Sequence, residues 1–307
     1  MLSSSKRNIL IVGYGQDGKI LHNKLQKKKI KTYIIINKKK KISKKNTFIK
    51  ILNIKSKSQV FSFLMNKDNL DIYFFATNNI SSSQKENENL FLKNYSSNVL
   101  ALINFLEFMN KNRKKNFKLF YASSSHIFEN SRIYPQNEKT NKLFRSNYAL
   151  VKYLGLKVCE YYRLKKQVFC SVGILYTHVS KHISKNFLIK ELANKIKKKN
   201  TKVVFVKNLN TKIDIMSADD AVSLMQLVLL QKKPDTFIIS SGKLTTLKEI
   251  FSSIIKFYKI KNKIILTNKS KIKRNNFYLF GDNKKLSKLI NWKPKIDIDE
   301  IVSQVLN

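Results

Sequence analysis

The most restrictive feature of the chain is a glycine turn close to its start. Gly13, Gly15 and Gly18 follow the apolar run 8–12 and precede an amphipathic stretch, although the 307 residues include only seven glycines. This G-x-G-x-x-G spacing gives a tight turn, lets the backbone approach a pyrophosphate and packs a helix closely against a strand. The sequence therefore predicts a strand, a turn and a helix whose N-terminal N–H groups bind the phosphates of a dinucleotide. The alternative is a turn that needs glycine only for its own geometry.

Short apolar runs alternate with amphipathic stretches along the first half of the chain. The runs are β-branched or aromatic and lack polar alternation, which is typical of strands buried on both faces of a parallel sheet. The stretches between them carry apolar residues at helical spacing. This alternation predicts a doubly wound α/β fold of the Rossmann type. The predicted strands are 9–12, 32–36, 48–52, 72–76, 119–122 and 168–174, and the predicted helices are 16–27, 58–65, 90–109 and 146–163.

The alternation stops after about residue 178. Helices and short strands follow, and the segment from Ser217 to Asp220 is placed to cap a helix over 221–230. We expect two domains without a flexible linker. The first is a dinucleotide-binding Rossmann domain over 6–178, and the second is a smaller, mixed substrate-binding lobe over 179–307, with some segments returning to the first domain.

The charge of the chain is strongly basic, with 61 Lys and Arg against 19 Asp and Glu. Such an excess is typical of proteins that bind nucleic acid or anionic membranes. Only six of these residues are Arg, however, and the chain is rich in Asn and Ile, which share A/T-rich codons with Lys. A mutational bias at exposed positions explains this composition. The charges are also not organised into a stripe with stacking aromatics, as they are in proteins that bind single-stranded nucleic acid. We therefore expect no specific nucleic-acid partner, and a polyanion-binding module is the weakest alternative.

The cysteines and the apolar runs bear on the compartment. Cys159 and Cys170 do not have the spacing of a metal site, so we expect reduced thiols, no metal and a cytoplasmic protein. No apolar run is long enough to cross a bilayer, and the first run leads directly into the glycine turn. We therefore expect neither a signal peptide nor a membrane partner.

The residues after the second predicted strand bear on the choice of cofactor. Folds that bind NAD usually place an acid there, whose carboxylate accepts hydrogen bonds from the ribose. Here Asn37 and Lys38 follow Ile36, with more lysines after them and no acid. Lysines attract a 2′-phosphate, so we predict NADP, with Asn37 and Lys38 beside it. The alternative is that these lysines belong to the general excess.

A second pattern combines a phenol, an ammonium and hydroxyls. Tyr148 and Lys152 lie four residues apart on the predicted helix 146–163 and therefore share a face. The predicted strand 119–122 ends in three serines and His126. An ammonium and a nicotinamide cation favour the phenolate, and a serine hydroxyl can hold a substrate oxygen. Such a site moves a proton while the cofactor moves a hydride; a chance Tyr-x-x-x-Lys on a helix is the alternative.

These motifs resemble the extended short-chain dehydrogenases/reductases that act on nucleotide sugars, most closely the GDP-mannose 4,6-dehydratase family. The resemblance runs nearly end to end, although the glycine turn is one residue shorter than in the family. Its most specific parts are Pro135-Gln-Asn-Glu-Lys-Thr140 and Asn291-Trp-Lys-Pro294. Further matches are Ala122-Ser-Ser-Ser-His126, Arg145-Ser-Asn-Tyr148, Gly173-Ile-Leu-Tyr-Thr-His178, Ser240-Ser-Gly242 and Gly281-Asp282.

The resemblance implies oxidation of a nucleotide sugar at C4 by NADP, loss of water across C5 and C6, and return of the hydride to C6. Ser124 stands at the catalytic threonine of the family, Tyr148 is the active-site phenol and Lys152 supports it. Homodimers or homotetramers are implied. The implied cofactor contacts are Gly13, Gly15, Gln16, Asp17, Gly18, Asn53, Ile54, Tyr148, Lys152 and His178, and the implied substrate contacts are Ser125, Thr177, Asn186, Lys190, Asn208, Lys212 and Arg274.

Two departures from the family pattern affect the expected function. His126 replaces the carboxylate that handles the C5 proton and the C6 hydroxyl; it shares a face with Ser124 if the chain stays extended, and its ordinary pKa of about 6.5 suits base chemistry. Ordinary pocket lining is the alternative role of His126. The diphosphate contacts are also thinned, since Glu191 replaces a lysine and Ile213 an arginine. We expect a 4,6-dehydratase; the alternatives are a 4-keto-sugar reductase or epimerase, which needs no carboxylate, and a non-catalytic homologue.

Overall fold

The computed structural model describes residues 7–38, 42, 45–77, 88–129, 131–185, 187–197, 203–206, 211–260, 265–268, 278–294 and 297–307. In chain order, the strands are β1 Asn8–Val12, β2 Thr32–Ile36, β3 Thr47–Ile51, β4 Leu70–Phe74, β5 Lys118–Ser124, β6 Cys170–Leu175, β7 Thr177–Val179, β8 Val203–Val206, β9 Lys212–Ser217, β10 Thr236–Ile239, β11 Leu244–Thr246 and β12 Ile265–Asn268. The helices are α1 Gln16–Lys27, α2 Lys57–Met65, α3 Glu88–Tyr95, α4 Ala101–Lys111, α5 Asn147–Lys166, α6 Leu188–Ile196, α7 Ala218–Leu229, α8 Leu247–Phe257, α9 Lys284–Ile290 and α10 Ile298–Leu306.

A seven-stranded sheet forms the framework, in the order β10-β6-β5-β4-β1-β2-β3. The pairings among β1 to β6 are parallel. The order reverses direction between β1 and β4, which is the point where doubly wound sheets bind their ligands, at the carboxyl ends of the strands. This arrangement confirms the predicted doubly wound Rossmann class.

Burial along the strands follows their place in this sheet. Every residue of β4 and β6 is buried, as the apolar runs predict. The same prediction is wrong for β3, where Phe48 is 54% and Ile51 49% exposed. β3 pairs only with β2 at the edge of the sheet, and apolar composition does not reveal which strand lies at an edge.

The helix predicted over 90–109 is interrupted. α3 ends at Tyr95, a π-helical turn covers Ser96–Leu100, and α4 begins at Ala101. The buried Asn98 lies in this turn, and its Nδ2 donates to the Asn94 carbonyl at 3.1 Å and to Thr77 Oγ1 at 3.3 Å. Side-chain bonds of this kind compete with the regular ladder of the helix. Apolar spacing alone does not predict such a turn.

The chain divides into two compact units. The first contains the described residues of Met1–Ile127, Phe144–Leu175 and Val222–Phe237, and the second those of Phe128–Leu143, Tyr176–Ala221 and Ile238–Asn307. The boundary expected from the sequence, between residues 178 and 179, lies close to Leu175, where one segment of the first unit ends. The sequence does not predict that Phe128–Leu143 lies in the second unit.

The second unit has its own small sheet and core. Its three strands run in the order β11-β9-β7, with β7 parallel and β11 antiparallel to β9. Its core packs apolar side chains of α6, α8 and α10, among them Ile189, Ile254 and Val302. α7 begins at Ala218, earlier than predicted, and Ser217 Oγ accepts from the Asp219 N–H at 3.2 Å. In the described part of the chain, no helix is both long and apolar enough to span a membrane.

Gln136, in the family-specific stretch 135–140, has a structural role in the second unit. Its side chain is fully buried; Oε1 accepts from the Phe280 N–H at 2.8 Å and the Tyr176 hydroxyl at 2.9 Å. Its Nε2 donates to the carbonyls of Ile133 and Tyr278. The backbone bonds Gln136 N–Phe280 O and Asp282 N–Gln136 O, both 2.7 Å, complete the junction. The motif therefore joins segments that are far apart in sequence.

Candidate active site

The glycine turn connects β1 directly to α1 at the carboxyl edge of the sheet. Gly13 has a φ of +100°, and a Cβ added there would lie 2.9 Å from Ala76 N. A Cβ at Gly18 would lie 2.4 Å from the Gly13 carbonyl oxygen. Backbone atoms cannot yield at such distances, so both positions require glycine, the first for the turn and the second for the packing of α1 on it.

Gly15 differs from the other two glycines because it faces open space. Gly15 is the N-cap of α1, and no described atom beyond its chain neighbours lies within 4 Å of a Cβ added there. The N-terminus of a helix presents free N–H groups and a positive dipole end to such a space. These residues fit the diphosphate of a dinucleotide, which needs a close approach to the backbone.

The ends of β2 and β3 lie beside the turn, because β1, β2 and β3 are parallel neighbours. Asn37 and Lys38 follow β2 and are exposed. After β3, Asn53 N donates to Gln59 Oε1 at 3.0 Å, and Asn104 Nδ2 donates to the Ile54 carbonyl at 3.0 Å. The loop with Asn53 and Ile54, which the resemblance implies as cofactor contacts, is therefore held from two helices.

β5 ends at Ser124, and the chain does not remain extended beyond it. Ser125–Phe128 forms a 3₁₀ turn, so the two-residue period that would place His126 on the same face as Ser124 does not apply. The His126 N–H donates to Ser124 Oγ at 3.3 Å. The exposed His126 ring lies edge to face with the Tyr148 ring, with 5.8 Å between centroids. The turn thus brings the imidazole to the phenol by another route.

Helix α5 carries the phenol and the ammonium. Ser146 caps this helix by accepting from the Ala149 N–H at 3.2 Å. Lys152 is buried; its Nζ donates to the Ala122 carbonyl at 2.9 Å and lies 5.8 Å from the centre of the Tyr148 ring. Tyr148 and Lys152 are therefore placed together on one face, at the carboxyl end of β5.

The pKa of Lys152 is strongly perturbed. Burial lowers the pKa of Lys152 to about 7, and the Asp17 carboxylate in the first turn of α1 acts in the opposite sense. The electrostatic effect of Asp17 connects the start of α1 with the catalytic cluster. Its carboxylate favours the ammonium form of Lys152.

Sequence reasoning missed the support beneath Lys152. The Tyr121 ring in β5 lies 5.3 Å from Lys152 Nζ, and a Cβ added at Gly155 would lie 2.2 Å from the Tyr121 hydroxyl oxygen. The Ser123 hydroxyl donates to the Lys152 carbonyl at 3.2 Å. Gly155 in the middle of a predicted helix was the available indication, because such a glycine often marks close packing.

The implied substrate residues are distributed along the chain. Ser125 is buried in the 3₁₀ turn of the first unit. In the second unit, Thr177 and His178 lie on β7, and His178 Nδ1 is 2.8 Å from the Tyr176 carbonyl oxygen. Lys212 begins β9 and is exposed. Asn186, Asn208 and Arg274 lie outside the described residues.

The residues that depart from the family pattern on α6 have local partners. Lys190 Nζ donates to the carbonyls of Lys181, at 2.7 Å, and Ile183, at 3.0 Å. Glu191 forms an exposed ion pair with Lys195 at 2.6 Å, so its charge is balanced on the surface of the helix. Among the residues described, no three His, Cys, Asp or Glu side chains are arranged to hold a metal ion.

Comparisons with known proteins bear on the family of the chain. A family model described as GDP-mannose 4,6 dehydratase matches residues 10–305. The GDP-mannose 4,6 dehydratase of Dictyostelium discoideum is 25% identical, covering 99% of this chain and 96% of the relative. That of Drosophila melanogaster is 26% identical, covering 63% of this chain and 54% of the relative. The match therefore spans about half the length of one relative and nearly all of the other.

Solved structures share the fold at low identity. The dTDP-glucose 4,6-dehydratase of Bacillus anthracis, in complex with NAD, has a TM-score of 0.80 at 17% identity, covering 98% of this chain and 96% of its own. The RMD protein of Pseudomonas aeruginosa, complexed with NADPH, has a TM-score of 0.80 at 15% identity, with the same coverage. At these identities the likeness concerns the fold.

Proposed function

Because the chain belongs to the GDP-mannose 4,6-dehydratase family, we propose that it is an NADP-dependent enzyme that removes water from a nucleotide sugar, either GDP-mannose or a close relative of it. The observation that carries this proposal is the cluster at the end of β5. Ser124, His126, Tyr148 and Lys152 lie together there, beside a glycine turn that fits a dinucleotide.

The first chemical step is removal of the proton from the C4 hydroxyl. Tyr148 is the base for this proton, because the Lys152 ammonium below it favours the phenolate. Ser124, at the end of β5, is suited to donate a hydrogen bond to the C4 oxygen. NADP supplies the acceptor of the C4 hydride and later its donor at C6.

The second step needs a group that acts on C5 and C6. The neutral imidazole of His126 can take the C5 proton, and the resulting imidazolium can give a proton to the departing C6 hydroxyl, which leaves as water. The proton balance closes within one side chain. The contact of its ring with the Tyr148 ring supports a role for His126 on the same substrate as the phenol.

We assign the remaining contacts as the family resemblance implies. In the first unit, Ser125 contacts the substrate, and NADP is held by Gly13, Gly15, Gln16, Asp17, Gly18, Asn37, Lys38, Asn53 and Ile54. Thr177, Lys190 and Lys212 of the second unit keep their implied role toward the nucleotide sugar, and His178 its role toward the cofactor. The buried thiols of Cys159 and Cys170 support a cytoplasmic location, and we propose a homodimer or homotetramer.

A 4-keto-sugar reductase or epimerase is the second candidate function. The observation that favours it is that His126 is exposed and stands where the family has a carboxylate, while Ser124, Tyr148 and Lys152 are all present. Reduction at C4 needs only these three groups. The two candidates therefore differ in what His126 does.

Conversion of GDP-mannose in heavy water tests the proposal. A dehydratase forms a product lighter by one water that carries solvent deuterium at C5, and His126→Ala stops this elimination while C4 oxidation remains reversible. If neither protein eliminates water but both reduce a nucleotide 4-keto-sugar at similar rates, the reductase is correct. If neither substrate is converted by the wild-type protein, the chain is a non-catalytic homologue.

A further inference from the structure

Tyr14 lies in the middle of the glycine turn, yet its side chain is buried. Its hydroxyl oxygen is 2.8 Å from Nδ1 of His22, which lies on α1. The two rings meet edge to face, with centroids 5.7 Å apart. His22 is only 1% exposed. A side chain from the turn is therefore hydrogen-bonded to the helix that follows it.

The other nitrogen of His22 continues this contact to β3. His22 Nε2 lies 2.9 Å from Thr47 Oγ1, which also accepts from Gln26 Nε2 at 2.7 Å. The Thr47 hydroxyl donates its single proton to the Lys45 carbonyl at 2.8 Å. The Thr47 oxygen must therefore accept from His22, and Nε2 carries the imidazole proton.

This assignment fixes the direction of the whole chain of hydrogen bonds. Burial lowers the pKa of His22, which favours the neutral ring with one donor and one acceptor. With Nε2 as the donor, Nδ1 is the acceptor and the Tyr14 hydroxyl donates to it. The bonds run from Tyr14 to His22, from His22 to Thr47 and from Thr47 to the Lys45 carbonyl.

We propose that Tyr14 and His22 are positioning residues that hold the glycine turn in the conformation that receives the diphosphate of the cofactor. Gly13 and Gly15 have no side chains, so Tyr14 is the one residue between β1 and α1 whose side chain can restrain the turn. The inference rests on the proposed function, because it takes a nicotinamide dinucleotide as the ligand.

The physical reason is preorganisation. A three-residue turn with two glycines has many accessible backbone conformations, and a ligand that binds one of them must bear the cost of ordering the turn. The hydrogen bond from Tyr14 to the buried imidazole restricts the turn before the ligand arrives. Removal of that bond should weaken cofactor binding and leave the acid–base chemistry unchanged.

The test compares Tyr14→Phe with Tyr162→Phe. Both variants lose one hydrogen-bonded hydroxyl of a buried tyrosine, but Tyr162 bonds to Glu107 on α4, away from the turn. In fluorescence titrations, the Kd for NADPH should rise about tenfold in Tyr14→Phe, which is about 1.4 kcal/mol, and stay within about twofold in Tyr162→Phe. At saturating cofactor, kcat and the KM for the sugar should be unchanged in both.

Two further measurements address the mechanism. Nitrogen NMR of the imidazole should find His22 protonated at Nε2 in the protein without cofactor, with a signal assigned by its loss in His22→Leu. The double variant Tyr14→Phe/His22→Leu should bind NADPH no more weakly than the weaker single variant, because both changes remove one shared bond. Thr47→Val keeps both rings, removes the acceptor that fixes the tautomer, and serves as the test if Tyr14→Phe does not fold.

The outcomes separate this inference from the proposed function. A wild-type Kd in Tyr14→Phe, an equal loss in Tyr162→Phe, or a His22 ring protonated at Nδ1 alone would overturn the positioning role. A wild-type protein that binds neither NADPH nor NADH would overturn the proposed cofactor, and the inference with it.

Discussion

Lys152 holds its amine below the phenol of Tyr148 and almost out of contact with water. The pKa of about 7 that burial produces lies far below the ordinary lysine value of about 10.4. In the protein without ligand, Lys152 is therefore neutral in a large fraction of the molecules at physiological pH. The ammonium form, which the phenolate needs, depends on negative charge nearby, and Asp17 supplies part of it.

We expect cofactor binding to be coupled to proton uptake. The phosphates of NADPH add negative charge beside the glycine turn and should raise the pKa of Lys152, so at about pH 8 the complex holds a proton that the free protein lacks. Calorimetric titration in two buffers of different ionisation enthalpy measures this uptake. The uptake should disappear in Lys152→Met, and equal proton exchange in both proteins would contradict the assignment.

Tyr148→Phe should abolish turnover with little effect on cofactor binding. The change removes the hydroxyl that transfers the proton at C4, and general acid–base groups contribute about 10²- to 10⁴-fold in rate. Tyr153→Phe is the matched control, because Tyr153 lies on the same helix and packs against Phe144. Steady-state rates with NADPH titrations check both variants; normal turnover of Tyr148→Phe would refute the role given to the phenol.

At the level of elements, α1 and its glycine turn separate stability from ligand binding. Gly18 packs the helix on the turn, whereas Gly15 borders open space in front of the helix N-terminus. The same substitution at these two positions should therefore have opposite consequences. Comparing the variants at Gly18 and Gly15 measures what the turn contributes to stability and what it contributes to cofactor binding.

Gly18→Ala should destabilise the fold, and Gly15→Ala should weaken cofactor binding. A Cβ at Gly18 meets the Gly13 carbonyl oxygen at 2.4 Å, and overpacking of this kind costs about 1–3 kcal/mol. At Gly15 the same Cβ contacts no described residue and enters the space proposed for the phosphates, so the free energy of unfolding changes by less than about 1 kcal/mol. Denaturant unfolding and NADPH titration of both variants decide the matter; a stable Gly18→Ala protein would show that the turn can shift.

Local periodicity was sufficient for the elements that carry the site. The helix predicted over 16–27 is α1. The helix predicted over 146–163 is α5, and this prediction stops short of the last residues of the helix. What periodicity could not provide depends on contacts between segments far apart in sequence. The π-helical turn follows from Asn98 reaching Thr77, and the exposure of Phe48 from the place of β3 in the sheet. The lowered pKa of Lys152 follows from its burial in the folded protein, which Asp17 opposes.

The Tyr-x-x-x-Lys spacing and the glycine turn could thus be recognised from sequence, and the position of His126 could not. Its place beside Tyr148 depends on a 3₁₀ turn at the end of β5, which the run of serines does not indicate. The condition for His126 to share a face with Ser124, an extended chain, is not met, and the imidazole lies against the phenol because of the turn. Site residues with a fixed helical spacing are therefore more predictable than those on the turn after a strand.

At the level of the whole molecule, the formal net charge of +42 attracts anions of every kind. A general field of this sort raises the affinity for both dinucleotides and is screened by salt. Discrimination between them requires a local contact with the 2′-phosphate. Asn37 and Lys38, exposed after β2, are the described residues at that position.

NADPH should bind more tightly than NADH, and the difference should shrink as salt is added, because the additional contact is ionic. Lys38→Ala should narrow the difference at low salt, whereas Lys28→Ala, which removes an exposed charge at the far end of α1, should leave it unchanged. Titrations of both dinucleotides at low and high salt check this. Equal affinities at low salt would favour the view that these lysines belong only to the general excess.

The junction at Gln136 also determines when the second unit can finish folding during synthesis. Its amide bonds to residues 142 and 144 positions later in the chain, and loops of this size close slowly. When Gln136 leaves the ribosome, none of these partners has been made. The segment must remain without them for the time taken to add those residues, at about 5–20 residues per second, so the second unit assembles only when translation is nearly finished.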